Sequence, residues 1–145
     1  GLAVCVDSRF NLRQYAGVSV CKPNEPELAE LTAMPISTDA EVREAARAAQ
    51  GLLACDTLLV TRGRRGMIVV EKSGRTSAIA VHGHADAVDV TGAGDTVHAT
   101  MALAIGSGAS PNDAAALANV AGSVVVQKQG TATVTAEEIR RAVRA

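Results

Sequence analysis

Short apolar runs that alternate with helix-forming segments constrain this chain more than any other feature. Leu2-Ala3-Val4-Cys5-Val6, Val18-Ser19-Val20-Cys21 and Thr57-Leu58-Leu59-Val60 are continuous, brief and apolar, which reads as buried strands. Between the second and third, Thr38 and Glu41 make a capping box for a helix over Ser37–Leu53. In that helix Val42, Ala45, Ala46, Ala49 and Leu52-Leu53 fall on one face. Arg43, Glu44, Arg47 and Gln50 fall largely on the other. Alternation with short turns and no linker predicts one α/β domain over residues 1–145. The expected architecture is a mainly parallel sheet with helices on both faces.

The 145 residues are 48% hydrophobic but include one Phe, one Tyr and no Trp. The core must come from Ala, Val, Leu and Ile, which suits close helix–sheet packing. It gives no aromatic platform for single-stranded nucleic acid. A net charge of -1 implies no polyanion-binding field, so no nucleic-acid partner is expected. No apolar run is long enough to cross a bilayer and the first residues form no signal peptide, so no membrane partner is expected. Cys5, Cys21 and Cys55 are odd in number and lack Cys-x-x-Cys spacing. They read as buried, reduced thiols of a cytoplasmic protein.

Further along, Phe10 to Ala16 reads as a loop. The turn Thr61-Arg62-Gly63-Arg64-Arg65-Gly66 separates two strands, and Met67–Val70 with Thr76–Val81 reads as a strand meander. Ser110 caps a helix that has Pro111 at its first position and runs to about Lys128. Ala132–Val134 reads as a short strand, and Thr135 with Glu138 caps a last helix.

The stretch that carries chemistry is Asp89-Val90-Thr91-Gly92-Ala93-Gly94-Asp95-Thr96, followed by the apolar run Val97–Ile105. A thin turn at a helix N-terminus presents unpartnered amides, here of Gly92, Ala93 and Gly94, to an anion such as a phosphoryl group. Asp95 in the first turn would repel a phosphate. Phosphoryl transfer to an alcohol wants both: amides that hold the moving charge and a carboxylate that accepts the hydroxyl proton. The bland alternative is a helix start with a helpful acid. A Walker A loop is excluded because Asp95 follows Gly94, and a dinucleotide fingerprint because Val97 stands where its third glycine belongs.

Asp89-x-x-Gly92-Ala93-Gly94-Asp95 resembles the second signature of the ribokinase-like (PfkB) carbohydrate kinases. That resemblance implies a three-layer α/β/α fold of which this chain is the C-terminal half. It also implies an anion hole at Gly92, Ala93 and Gly94, with Asp95 as catalytic base. Asn24-x-x-Glu27 resembles the family's Asn-x-x-Glu motif, whose residues act on hydrated Mg2+; a plain helix cap by Asn24 and Glu27 is the competing reading. Thr61-x-Gly63-x-x-Gly66 resembles the nucleotide loop, with Thr61 and Gly63 close to ATP. Arg62 would add charge there or simply lie in solvent. The resemblance also makes Asn119 an adenine contact; a polar residue bonded at a helix face is the competing reading. Asp89 is expected to hold its turn by side-chain hydrogen bonds, and the resemblance adds a part in a monovalent-cation site.

His82, His84 and Asp86 suggest a metal only weakly, and loop residues over the nucleotide are the better reading. Asp7, at the end of the first strand, is a site residue or a turn former.

The implied function is transfer of the γ-phosphoryl group of ATP to a sugar or sugar phosphate. The runs Val6–Arg9, Lys22–Glu27 and Lys128–Val134 are most similar to the heptose 7-phosphate kinase branch, which serves ADP-heptose synthesis. A noncatalytic nucleotide-binding module is the alternative. A half fold with an apolar sheet edge favours a homodimer.

Overall fold

In a computed structural model, residues 2–83 and 87–144 are described. His84 and Asp86 lie outside them. Five strands form one sheet in sequence order: β1 (Cys5–Val6), β2 (Val20–Cys21), β3 (Thr57–Thr61), β4 (Met67–Glu71) and β5 (Thr76–Ile79). β1, β2 and β3 pair in parallel, whereas β4 is antiparallel to β3 and β5 to β4. Four of the five strands therefore point the same way. The mainly parallel sheet expected from the sequence is present.

Alternation along the strands divides the core in two. On one face Cys21, Leu58, Val60, Ile68 and Val70 pack under α1 (Glu25–Thr32) and α2 (Asp39–Leu53). On the other, Val20, Leu59, Met67 and Val69 pack under α3 (Ala93–Gly106) and α4 (Pro111–Val125). Alanine is prominent in the helix contributions, with Ala45, Ala46 and Ala49 beside leucines on the first face and Ala104, Ala114, Ala115 and Ala118 on the second, as a core poor in aromatics requires. The last helix, α5 (Ala136–Arg144), buries no residue fully.

Local signals set the helix starts. Asn24 and Glu27, Thr38 and Glu41, and Thr135 and Glu138 each form reciprocal capping bonds. Cys21 and Cys55 are buried, and all three thiols are free.

Several expectations are corrected. The first run is not a buried strand throughout. Only Cys5–Val6 pairs, Leu2 is 95% exposed and Val4 about half exposed, because β1 is an edge with no strand beyond it among the described residues. Residues 12–15 form a 3-10 turn that buries Leu12. Leu52 is exposed, and Leu53 alone of that pair enters the core. β5 stops at Ile79, opposite Met67 where β4 begins, and the next carbonyl, of Ala80, accepts instead from the side-chain amide of Asn119. Ala132–Val134 is not a strand, since no described strand lies beside it to pair with.

Candidate active site

The C-terminal ends of the parallel strands bring distant polar residues into one row. Asp7 follows β1, Lys22 and Asn24 follow β2, and Thr61 ends β3. Asn24 and Thr61 form a parallel bridge, and the Thr61 amide donates to the carbonyl of Pro23 at 3.0 Å. Lys22 is buried, and its ammonium lies 2.8 Å from Asp7.

Above this row α3 begins. Gly92 is its N-cap, with φ of 77° in the left-handed region that glycine adopts without strain. No side chain caps the helix. The Ala93 amide donates to Val90 at 3.2 Å, so it is not free for an anion as expected from the sequence. Thr96 donates to Gly92 and closes the first turn. The amides of Gly94 and Asp95, too early in the helix for an intrahelical partner, have no partner among the described residues. The Gly92 amide likewise has no partner among the described residues, so of the three amides expected to face an anion only that of Ala93 is engaged. The Asp95 side chain stands exposed in the first turn, not directed into the core.

Asp89 sets this turn. One carboxylate oxygen accepts from the Thr91 amide at 2.9 Å and the other from Gly130 at 3.0 Å. The Thr91 amide, then the Thr91 hydroxyl and the Gly130 amide, hold this carboxyl below its usual value. The amides of Val88 and Asp89 donate to Val126, tying the segment before α3 to the end of α4.

A cleft of about 540 Å³ opens beside the cradle. Thr61, Gly63, Gly66, Asp89, Ala93, Gly94 and Asn119 line it, so seven of the residues singled out from sequence meet there. Its apolar walls include Met67, Val81, Val88, Val97 and Val126, suited to a flat aromatic base. His82 also lines it. Gly66 is required by crowding: its φ is 78° and an added Cβ would lie 2.0 Å from the carbonyl oxygen of Ile79.

Asn24, Glu27, Gly92 and Asp95 are not among the cleft-lining residues. Asn24 and Glu27 are spent in part on capping: Glu27 Oε2 accepts from the Asn24 amide and Asn24 Oδ1 from the Glu27 amide, both at 2.9 Å. Glu27 Oε1 has no partner among the described residues. No cluster of three acidic, His or Cys ligands occurs among the described residues. A metal held mostly by phosphates and water, with Glu27 Oε1 at its periphery, fits this donor set; a protein-caged ion does not.

Arg62 departs from both readings of the nucleotide loop. It is neither free for a polyphosphate nor in solvent. Its side chain is 5% exposed and donates to Glu25 through Nε at 2.8 Å and to Asp39 through Nη2. Arg65 also pairs with Glu25. The loop is thereby bolted to the first turn of α1, next to Asn24. Lys22 is the residue that sequence reasoning passed over. Its place at the end of β2, where open α/β sheets gather ligands, was the available signal.

A sheet that delivers its loops to the N-terminus of a helix on one face, beside an apolar cleft, is of the ribokinase-like α/β class. The family model for pfkB family carbohydrate kinases matches residues 9–138. The chain belongs to that family. It is 44% identical over 140 residues to the bifunctional protein HldE of Gluconacetobacter diazotrophicus, and 41% identical over 143 residues to that of Coxiella burnetii. These matches cover 96% and 98% of this chain but only 29% and 30% of the relatives' lengths. Among solved structures, Arabidopsis thaliana ribokinase complexed with ribose and ATP matches with a TM-score of 0.86 at 25% identity. That match covers 99% of this chain and 48% of the ribokinase. Phosphofructokinase-2 from Escherichia coli in complex with potassium shares the fold at a TM-score of 0.82, with 42% of that chain covered.

Proposed function

We propose that this chain is the ATP-binding and catalytic part of a carbohydrate kinase that moves the γ-phosphoryl group of ATP to a sugar hydroxyl. The observation that carries this reading is the pair of unpartnered amides at Gly94 and Asp95, with the Asp95 carboxylate exposed in the same helical turn and the apolar cleft alongside.

The base of ATP fills the cleft between Val81, Val97 and Val126, with Asn119 at its wall and the Thr61–Gly66 loop beside the phosphates. The Gly94 and Asp95 amides accept the transferring charge in a fixed, already oriented cradle. Asp95 takes the proton from the attacking hydroxyl as the new O–P bond forms and the bond to ADP breaks. Mg2+, when bound, would supply charge neutralisation to the phosphates, and Asn24 with Glu27 would be the residues to meet its water shell. Asp89 fixes the turn; a monovalent cation is assigned to its neighbourhood only by family resemblance.

The acceptor proposed is D-glycero-D-manno-heptose 7-phosphate, which the HldE relatives and the framework runs around Asp7, Asn24 and Gly130 support. The open, apolar edge at β1 supports pairing with a further strand, as in a homodimer.

The test is Asp95→Asn in the intact kinase. Loss of a general base lowers kcat by about 10²–10⁴-fold, while ATP affinity, read by titration calorimetry, stays within about twofold because uniform binding is untouched. Retained ADP release with heptose 7-phosphate, ribose and fructose 6-phosphate alike would remove Asp95 from the chemistry. ATP binding without turnover on any acceptor by the wild-type enzyme would favour a nucleotide-binding module.

A further inference from the structure

We propose that Lys22 is a further phosphoryl-contacting residue of this site, held ready by Asp7 and aimed at the group that α3 receives. The inference rests on the kinase reading above. Lys22 has a side chain 6% exposed, and its Nζ lies 2.8 Å from Asp7 Oδ2. The same nitrogen lies 3.7 Å from where a Cβ on Gly94 would stand. An ammonium therefore sits against the first turn of α3.

That position is unfavourable for a cation by itself. The helix dipole is positive at this end, and the amides without partners carry the same sign. Burial adds a desolvation cost. Asp7 offsets part of it, but it is 27% exposed and takes one of the three protons the ammonium can donate. An anion placed between Gly94 and Lys22 removes the conflict, because it is attracted by the amides and the ammonium together. The adjoining residue is Asp95, the proposed base, so that anion is the transferring γ-phosphoryl group rather than the α- or β-phosphate. Lys22 keeps Asp7 and uses its remaining donors on the phosphoryl oxygens, adding charge from the sheet side. A mere staple between the ends of β1 and β2 would need no approach to Gly94.

Discrimination between ATP and ADP reads this contact and a structural role does not. Lys22→Met weakens ATP binding about tenfold more than ADP binding, the loss of one charge-assisted hydrogen bond. In the intact kinase kcat falls about a hundredfold, as for loss of one donor to a developing charge. Added methylammonium or ethylammonium restores part of that kcat. The paired variant Asp7→Asn/Lys22→Met leaves no orphaned charge, folds by thermal unfolding, and shows the same loss of preference for ATP. An unchanged ATP-to-ADP ratio in a folded variant overturns the inference, and so does failure of both variants to fold, which would make the pair structural. A wild-type protein that binds neither nucleotide overturns the kinase reading instead.

Discussion

Arg62→Met tests the claim that a buried cation joins the nucleotide loop to α1. The guanidinium is 5% exposed and its main partner, Glu25, has a side chain 11% exposed. Asp39 also bonds Arg62 and is held below its usual value by it, but it is largely exposed, so solvent replaces most of what that pair contributes. The energy of the change therefore lies with Glu25, which loses one of two arginines in a nearly dry site. Removing one partner of a buried pair costs about 3–5 kcal/mol because the other charge is orphaned. Arg65 still reaches Glu25 from a half-exposed position, so the loss is expected to fall below that range, at about 2–3 kcal/mol. For a domain of this size each kcal/mol lowers Tm by about 3 °C, giving a fall of about 6–9 °C. Urea and thermal unfolding followed by circular dichroism read it. The decisive comparison is Arg62→Met/Glu25→Gln. If the orphaned carboxylate is the cause, neutralising it recovers more than half of the loss. A double variant no more stable than Arg62→Met, or a single variant within about 0.5 kcal/mol of wild type, would refute the reasoning.

Other outcomes follow from single sites. Gly66→Ala forces a Cβ into the Ile79 carbonyl at a positive φ; a loss above about 2 kcal/mol in urea unfolding, with a weakened grip on nucleotide, is expected. Its wild-type stability would contradict the tight packing of loop and β5. Acid should destabilise the fold through carboxyls held low by their partners. Glu138 is lowered to about 2, first by Lys128 and then by the Thr135 amide and hydroxyl, and Asp89 is lowered by its bonds to Thr91 and Gly130. A depressed carboxyl stabilises above its unfolded value of about 4 and loses that contribution as pH falls through the folded value. The urea midpoint of the wild type should thus drop from pH 5 to pH 2, and Glu138→Gln should drop less; equal slopes would discount the Glu138 contribution.

Much of this molecule is legible in short windows of its sequence. The caps at Asn24, Thr38 and Thr135 are reciprocal bonds between residues three apart, so the sequence contains both partners and the geometry that joins them. The turn at Asp89–Asp95 is equally local, and the glycine at Gly92 marks its left-handed backbone in advance. The order of the five strands and the main helices followed from apolar runs and caps, although the expected strand at Ala132–Val134 is absent. Burial and partnership across the fold did not. Arg62 meets Glu25 and Asp39 from 37 and 23 residues away, so its composition-based reading as a surface arginine had no means of seeing them. Leu2 and Val4 have the composition of a buried strand, yet lie at an edge, because exposure depends on what stands next to a strand rather than on its residues. The Ala93 amide, expected to face an anion, is taken by Val90 through the particular path of the turn. Lys22 meets Gly94 only because parallel strands collect their C-terminal ends beneath one helix. Local hydrogen bonds are written in sequence since their range is a few residues; dielectric, solvent access and charge pairing are fixed by neighbours that the chain brings together from afar.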